Sequence, residues 1–577
     1  MITNHSGLSS AVEGVGLSER LVRLRQDVMA RHGSWTPQNP FVRDVALWRA
    51  WQPGASVVQI RAQLLRELVR TASITIGPDW TLAGEHLPQG FGFLGKRRVR
   101  IREALAQLGV APKDTPAIRA RVERWQAPAW RTPVAIGRPA FDASAETGTW
   151  NHGVVYWAGG WIENHSIRDY PKVLRCGFDG IRREIEARRA ASELTDPEHP
   201  HRENFWNAAL AICAAGCELG HRYAEHARAL AAGCSDPAER ARLERMAATC
   251  DRVPAEGART LHEAVQALWL AHILSCGEDG INANSIGRLD QMLEPFYQAD
   301  LAAGRITPEE ACDLMAELAC KLYLDYDVQA ITLGGVDAGG YDATNAMTGI
   351  ILEATRRVDF VRDLSVRLHR GSPPELIRQC AGMVARGGGI PFFFNDECFI
   401  PALTDRGIAL ADARDYAPIG CIELTIPGRA NPHAVSGWFN AAKCLELALF
   451  DGRDPRTGRQ LGPRTGMLTD CPSYAALFAR YLTQVEYFVR RMVYGINRGE
   501  LAQREFGPLP CWSTLTDECI ARGRDITDGG ARYNYHSVCL LGVPNTADAL
   551  CALKRLVFER GEVGAAELLA ALQADFA

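Results

Sequence analysis

The sequence predicts an α/β fold, and three observations carry the prediction. From about residue 326, apolar β-branched runs (VQAITLGG, RDLSVRLH, GIPFFFND, APIGCIELTIPG) alternate with helical segments (TNAMTGIILEATRRV, PPELIRQCAGMVARG, FIPALTDRGIALADARDY). Strand–helix–strand alternation with near-continuous apolar strands is the pattern of a covered sheet or barrel. Residues 200–325 carry repeated helix-start signals. The chain has 577 residues, 47% hydrophobic and 23% charged, which is enough to bury a large core.

Residues 1–16 are polar and are expected to be mobile. A helical region runs from Leu17 to about Val69. ASITIGPDW reads as a short strand closed by Gly77 and Pro78. Residues 94–126 read as helical and Arg-rich on one face. Residues 127–165 form a long irregular stretch rich in Pro, Gly, Trp and Asn, a texture associated with function or disorder; the aromatic content argues for function. Asp236 is placed as an N-cap with Pro237 at the first helical position. TLHE at 260–263 fits a capping box, and Leu261, Val265, Leu268 and Trp269 fall on one buried face. TPEE at 307–310 repeats that logic ahead of Leu314, Leu318 and Leu322. Asn395 and Asp396 read as turn and N-cap residues. Gly387–Gly389 read as a backbone turn; no Lys-Ser/Thr follows, so a phosphate loop is rejected.

Composition narrows the class of function. The net charge is −4, so no basic excess exists to neutralise nucleic acid. No run of about 18 apolar residues predicts a spanning helix, and the N-terminus lacks the apolar core of a secretory signal. The expectation is a cytoplasmic protein with no nucleic-acid or membrane partner. Seventeen cysteines are scattered with no CxxC pair, which predicts reduced, mostly buried thiols and no zinc or iron–sulfur site. No metal is expected.

The segment DYAPIGCIELTIPG carries the chemistry. Gly420 before Cys421 permits tight backbone geometry. On an extended backbone Cys421 and Glu423 point to one side, which brings a thiol and a carboxyl to one reaction volume. Alone, the pair also fits a core cysteine beside a helix-capping glutamate. A hydrolase reading built on Cys421 and His433 lacks a nucleophile elbow or an orienting group.

Six segments occur in order: ENHSIRDYPKVLRCGFDGI, RTLHEAVQALWLAHI, IGRLDQMLEPFY, ITLGGVDAGGYDATN, GGGIPFFFNDECFIPALTDRGI and GCIELTIPG. This array resembles the glycyl radical enzymes of the pyruvate formate-lyase type, from about residue 17 onward. The resemblance implies a ten-stranded α/β barrel wrapped by helices, occupying 17–577, with Cys421 on a loop inside it. It implies that Cys421 carries a thiyl radical, kept protonated by burial, and that Glu423 is the general acid/base. His165 aligns with a histidine near the substrate in several members. Asn282 and Asn284 are candidate hydrogen-bonding groups for a polar substrate. No bound cofactor is implied: the glycyl radical is installed by a separate S-adenosylmethionine/iron–sulfur activating enzyme. The implied partners are that enzyme, a small-molecule substrate and a second copy in a homodimer.

The array also departs from particular branches. Pyruvate formate-lyase resembles a Cys-Cys arrangement at this loop, whereas Gly420 precedes Cys421 here; formate acetyltransferase-like C–C cleavage therefore stands only as an alternative. The diol-dehydratase branch has Pro after the Glu, Asp about fourteen residues after the Cys, and a His-Ser pair upstream of GRxDQ. Here those positions hold Leu424, Val435, and Asn282 with Ala283. Lyase or dehydratase chemistry on a small polar substrate is the leading reading. The family's Arg-Val-x-Gly-Tyr radical loop is not found, and the chain ends at LLAALQADFA within a helical pattern. The barrel is thus expected to be incomplete at its C-terminus. The radical segment is expected either as a missing continuation or as a separate C-terminal chain, and these 577 residues alone as catalytically silent or as a partner subunit.

Overall fold

A computed structural model describes residues 16–32, 46–47, 49–50, 52, 54–87, 153–158, 165–324, 328–359 and 363–576. The predicted mobile N-terminus, the helix over 94–126 and most of the irregular 127–165 stretch lie outside the described residues. The chain divides into two compact units: residues 1–126, 163–432 and 507–535, and residues 127–162, 433–506 and 536–577.

The first unit is mixed α/β, as predicted. Four strands, Gly287–Arg288, Ile331–Gly334, Leu364–Leu368 and Phe392–Asn395, lie side by side in chain order and are all parallel. Helices Leu289–Ala302, Pro308–Tyr323, Ala346–Val358 and Pro374–Val384 connect them. Each crossover returns a parallel strand. The strands Ile331–Gly334 and Leu364–Leu368 alternate apolar with polar residues, yet Thr332, Ser365 and Arg367 are buried along with the apolar ones. Ser166–Ile167 pairs in parallel with Asn284–Ser285, and Ala417–Ile419 pairs antiparallel with Glu423–Thr425. The longest hydrogen-bonded sheet among the described residues has four strands.

The helical half follows its start signals. Asp236 caps Pro237–Arg252 by accepting from the Ala238 N–H. Thr307 and Glu310 form a reciprocal capping box on Pro308–Tyr323. At Thr260 only half the box forms. Its hydroxyl accepts from the Glu263 N–H, but the Glu263 carboxylate turns to the backbone N–H and guanidinium of Arg259. The helix Leu261–Asp279 was expected to bury one face; apart from His262 it is buried all round. Other helices and the strand layer surround it, so its polar residues must find partners inside. Gln266 bonds the Ala83 backbone, and Trp269 donates to the Gly84 carbonyl.

The strand predicted over 72–80 does not form. Backbone carbonyls there are taken by arginines instead of a ladder: Arg222 donates to the Ala72 carbonyl, Arg20 to that of Asp79, and Arg242 to those of Gly77 and Trp80. In the second unit, Val155–Ala158, Gly437–Asn440 and Val538–Leu541 form a three-stranded sheet. The helix Tyr474–Phe506 packs there through Phe488, Met492 and Ile496, at one-turn intervals. Among the described residues no helix is long and apolar enough to cross a membrane.

Candidate active site

The hairpin Ala417–Thr425 presents the Cys–Glu pair. Strand pairing runs Ile419 opposite Glu423, which leaves Gly420, Cys421 and Ile422 as the connecting turn. Gly420 has φ of +57°, a left-handed conformation that suits glycine. The surroundings demand glycine as well. A Cβ there would stand 3.1 Å from Glu423 Oε2, 3.1 Å from His165 Cδ2 and 3.2 Å from the Ala283 Cβ. The same contacts show that His165 and Glu423 both border Gly420, next to the thiol.

Cys421 and Glu423 do come together, by a different geometry from the one expected. The backbone is a tight turn, not extended. Glu423 Oε2 accepts from the N–H groups of Cys421 and Ile422, each at 3.2 Å. Adjacent backbone N–H groups in a turn make a local anion cradle, and here the anion belongs to the loop's own glutamate.

The thiol was expected to be buried. Cys421 is instead exposed, with Ile422 69% exposed beside it. The turn projects both side chains past the ends of its strands, and no described residue closes over them. Despite that exposed area, loss of solvent around the sulfur is the first cause lifting the Cys421 thiol above its ordinary range. The charges of Glu423 and Asp363 add to it. All three causes favour S–H over thiolate, which disfavours nucleophilic use of this cysteine at neutral pH.

The loop is anchored from behind. Ser285 Oγ accepts from the Gly420 N–H at 3.3 Å and from the Ala330 N–H at 3.2 Å. Ser285 is held in turn by the pairing of Asn284–Ser285 with Ser166–Ile167. An ion pair between Arg168 and Asp279, at 2.8 Å with both side chains fully buried, stands at that junction. Arg168 also lies 4.9 Å over the Trp512 ring. Sequence reading missed Ser285, Arg168 and Asp279. NSI, SIRD and GEDG carry no chemical signature, and only the strand pairing gives these residues their place.

The other predicted residues separate. Asn284 is buried and donates to Asp279 Oδ1 at 3.2 Å; its Oδ1 is buried with no hydrogen-bond partner among the described residues. Asn282 is exposed. Asn395 caps the helix Asp396–Thr404 by accepting from the Glu397 N–H. Asp396 is more than a turn residue: it is buried, paired with Arg367 at 2.9 Å, and accepts from the Tyr416 hydroxyl and the Val336 N–H. Gly387–Gly389 form the expected turn, with φ of +94°, +86° and +73°. A cleft of about 470 Å³ lies beside Arg168, Arg288, Gln291 and Phe296, but it includes none of Cys421, Glu423 or His165.

Comparison with known proteins identifies the family. The family model described as pyruvate formate lyase-like matches residues 50–577. The chain is 30% identical over 426 residues to (2S)-3-sulfopropanediol dehydratase of Klebsiella oxytoca, covering 71% of this chain and 52% of that protein. It is 32% identical over 425 residues to trans-4-hydroxy-L-proline dehydratase of Clostridioides difficile, covering 70% and 54%. The chain thus spans about half the length of these curated relatives. Among solved structures, the glycerol-bound B12-independent glycerol dehydratase of Clostridium butyricum superposes with a TM-score of 0.84 at 28% identity, covering 97% of this chain and 74% of that one. The fold is therefore mixed α/β of the glycyl radical enzyme type, as the resemblance implied, and the chain belongs to the pyruvate formate lyase-like family of glycyl radical enzymes.

Proposed function

We propose that this chain supplies the thiol and acid–base half of a radical lyase or dehydratase acting on a small polar substrate. The observation that carries the proposal is the hydrogen bonding of the Glu423 carboxylate to the Cys421 and Ile422 N–H groups, which fixes a proton carrier beside an S–H. A glycyl radical, installed by a separate activating enzyme, supplies the hydrogen acceptor that converts the Cys421 thiol to a thiyl.

The chain's own residues account for the remaining steps. The Cys421 thiyl takes a hydrogen atom from a substrate C–H, so an S–H forms as the C–H breaks. The Glu423 carboxylate takes the proton of the O–H or N–H on the radical carbon and passes it to the departing group on the neighbouring carbon, so the bond to that group breaks, water leaves and Glu423 ends as the carboxylate it began as. The product radical recovers a hydrogen atom from the Cys421 S–H, which regenerates the thiyl. No net oxidant is consumed. His165, at the rim of Gly420, and the unpaired buried Asn284 Oδ1 orient the polar substrate; the latter can accept from a hydroxyl.

Substrate class follows from the same groups and from the relatives. A carboxylate acid next to a hydrogen-atom carrier suits loss of water or another leaving group from a carbon adjacent to an activated C–H. The matched relatives are named for dehydration of a sulfonated diol and of hydroxyproline, which supports a hydroxylated substrate. The exposure of Cys421 and Ile422 favours a complementary reading in which a radical-bearing segment, continuous or separate, closes over this turn and excludes water.

The test uses the chain with its radical-bearing segment and activating enzyme under anaerobic conditions, supplied with hydroxylated small acids and diols. Elimination product that vanishes in Cys421→Ser supports the proposal. Undiminished turnover in that variant would overturn it.

A further inference from the structure

The second unit holds a cluster that the radical chemistry does not use. His433 precedes the strand Gly437–Asn440, and His536 precedes Val538–Leu541. These two strands pair in parallel with Gly437 opposite Val538, so both histidines arrive at the same end of the sheet. The helix Tyr474–Phe506 buries Phe488, Met492 and Ile496 against the same cluster of side chains. Its next residue in that one-turn series is Glu500, which therefore also faces the sheet end.

One ligating atom from each of the three residues lies within 4.8 Å of the others. Glu500 Oε2 is 3.5 Å from His536 Nε2, and Glu500 Oε1 is 3.9 Å from His433 Nε2. The two imidazole rings stack with centroids 4.3 Å apart. His433 is only 4% exposed.

Ser436 sets the proton on His536. Its hydroxyl donates its one hydrogen to the His433 carbonyl. The Ser436 oxygen, 2.7 Å from His536 Nδ1, can then only accept, so Nδ1 carries a hydrogen. In the neutral imidazole this leaves Nε2 as a lone pair, aimed at a carboxylate. A lone pair facing an anion is unfavourable unless a cation, either a proton on Nε2 or a metal ion, stands between them. An imidazole N–H held by an outer hydroxyl, with the other nitrogen free, is also the usual arrangement around a metal-bound histidine.

We propose that His433, Glu500 and His536 form a binding site for a divalent transition-metal cation, zinc being the best fit. Two imidazoles and one carboxylate match zinc's ligand preference and leave a fourth position open. Zinc–ligand bonds of about 2.0–2.1 Å set neighbouring ligand atoms about 3.3 Å apart in a tetrahedron. The observed 3.5 and 3.9 Å need only a small contraction. No spaced motif announces the site, because its ligands come from two strand entries and one distant helix.

The test strips the full chain with a chelator and titrates it with zinc, then with cobalt(II) as a spectroscopic probe. One zinc per chain is expected, with a visible cobalt spectrum of nitrogen and oxygen ligation. Glu500→Gln and His536→Ala should each weaken zinc binding at least tenfold. Ser436→Ala should weaken it on the order of tenfold while keeping all three ligands. Zinc should raise the melting temperature of the parent chain and not of Glu500→Gln. Unchanged zinc affinity in Glu500→Gln and His536→Ala, or a cobalt spectrum dominated by thiolate charge transfer from the cysteines, would overturn the proposal.

Discussion

Glu423 is bound to the backbone of Cys421: its Oε2 accepts from the Cys421 N–H at 3.2 Å. The carboxylate is thereby held beside the thiol at the cost of no extra side chain. Replacing it by glutamine keeps an oxygen that can accept the same bond but removes the transferable proton. Glu423→Gln in the radical-loaded enzyme should lower elimination by about 10²- to 10⁴-fold. Hydrogen exchange between deuterated substrate and the Cys421 thiol should persist, because that step needs no proton. Mass spectrometry of recovered substrate separates the two steps; loss of exchange together with elimination would count against the division of labour.

Gly420 is constrained by conformation and by space together. Its φ is +57°, and a Cβ would crowd both Glu423 Oε2 and the His165 ring at 3.1 Å. Gly420→Ala should cost roughly 1–3 kcal/mol from the strained conformation, read as a lowered urea midpoint. It should also raise the reactivity of Cys421 towards iodoacetamide, because displacing Glu423 removes one of the charges that hold the thiol protonated. Alkylation kinetics followed at Cys421 by peptide mapping give the answer.

The contrast between what was readable in the sequence and what was not follows chain distance. Asp236, Thr307 and Asn395 cap helices as expected because a cap and its helix lie within a few residues. The Cys421–Glu423 pair was readable for the same reason, although the backbone meets the requirement by turning rather than extending. Ser285 was not readable as the anchor of Gly420, since the two are 135 residues apart. Arg168 and Asp279, 111 residues apart, and the His433–Glu500–His536 cluster share that difficulty. The strand expected at 72–80, which does not form, is a case of propensity without a neighbour: β-branched residues do not make a strand where no partner edge is offered.

Asp396 tests the frame behind the hairpin. Its carboxylate receives two bonds from the buried Arg367 guanidinium, one from Tyr416 and one from the Val336 backbone. Arg367 also donates to the Tyr416 and Arg414 carbonyls, just ahead of the strand Ala417–Ile419. Asp396→Ala leaves a buried cation without its anion, which is expected to cost about 3–5 kcal/mol. Arg367→Met with Asp396→Leu should recover part of that loss. Chemical denaturation of the parent and the two variants checks it; equal stability of Asp396→Ala and the parent would show that the pair is not needed.

Glu278 gives the first unit a pH dependence of definite sign. The carboxylate is fully buried and accepts from the Cys511 and Trp512 N–H groups. Burial first, and the neighbouring Asp279 charge second, raise its pKa to about 8. An acid with a raised folded pKa holds its proton more tightly when folded. Below the unfolded value, about 4.3, both states are protonated and nothing is lost. As pH rises from there towards 8, the unfolded chain ionises while the folded one resists, so stability falls. The buried histidines His86 and His272, lowered to about 3 mainly by burial, act oppositely: their contribution is present above the unfolded histidine value and is lost as pH falls. The difference between parent and Glu278→Gln isolates the carboxylate. The variant's urea midpoint, lower or higher in absolute terms, should decline less than the parent's between pH 5 and 8, and parallel curves would contradict the raised pKa.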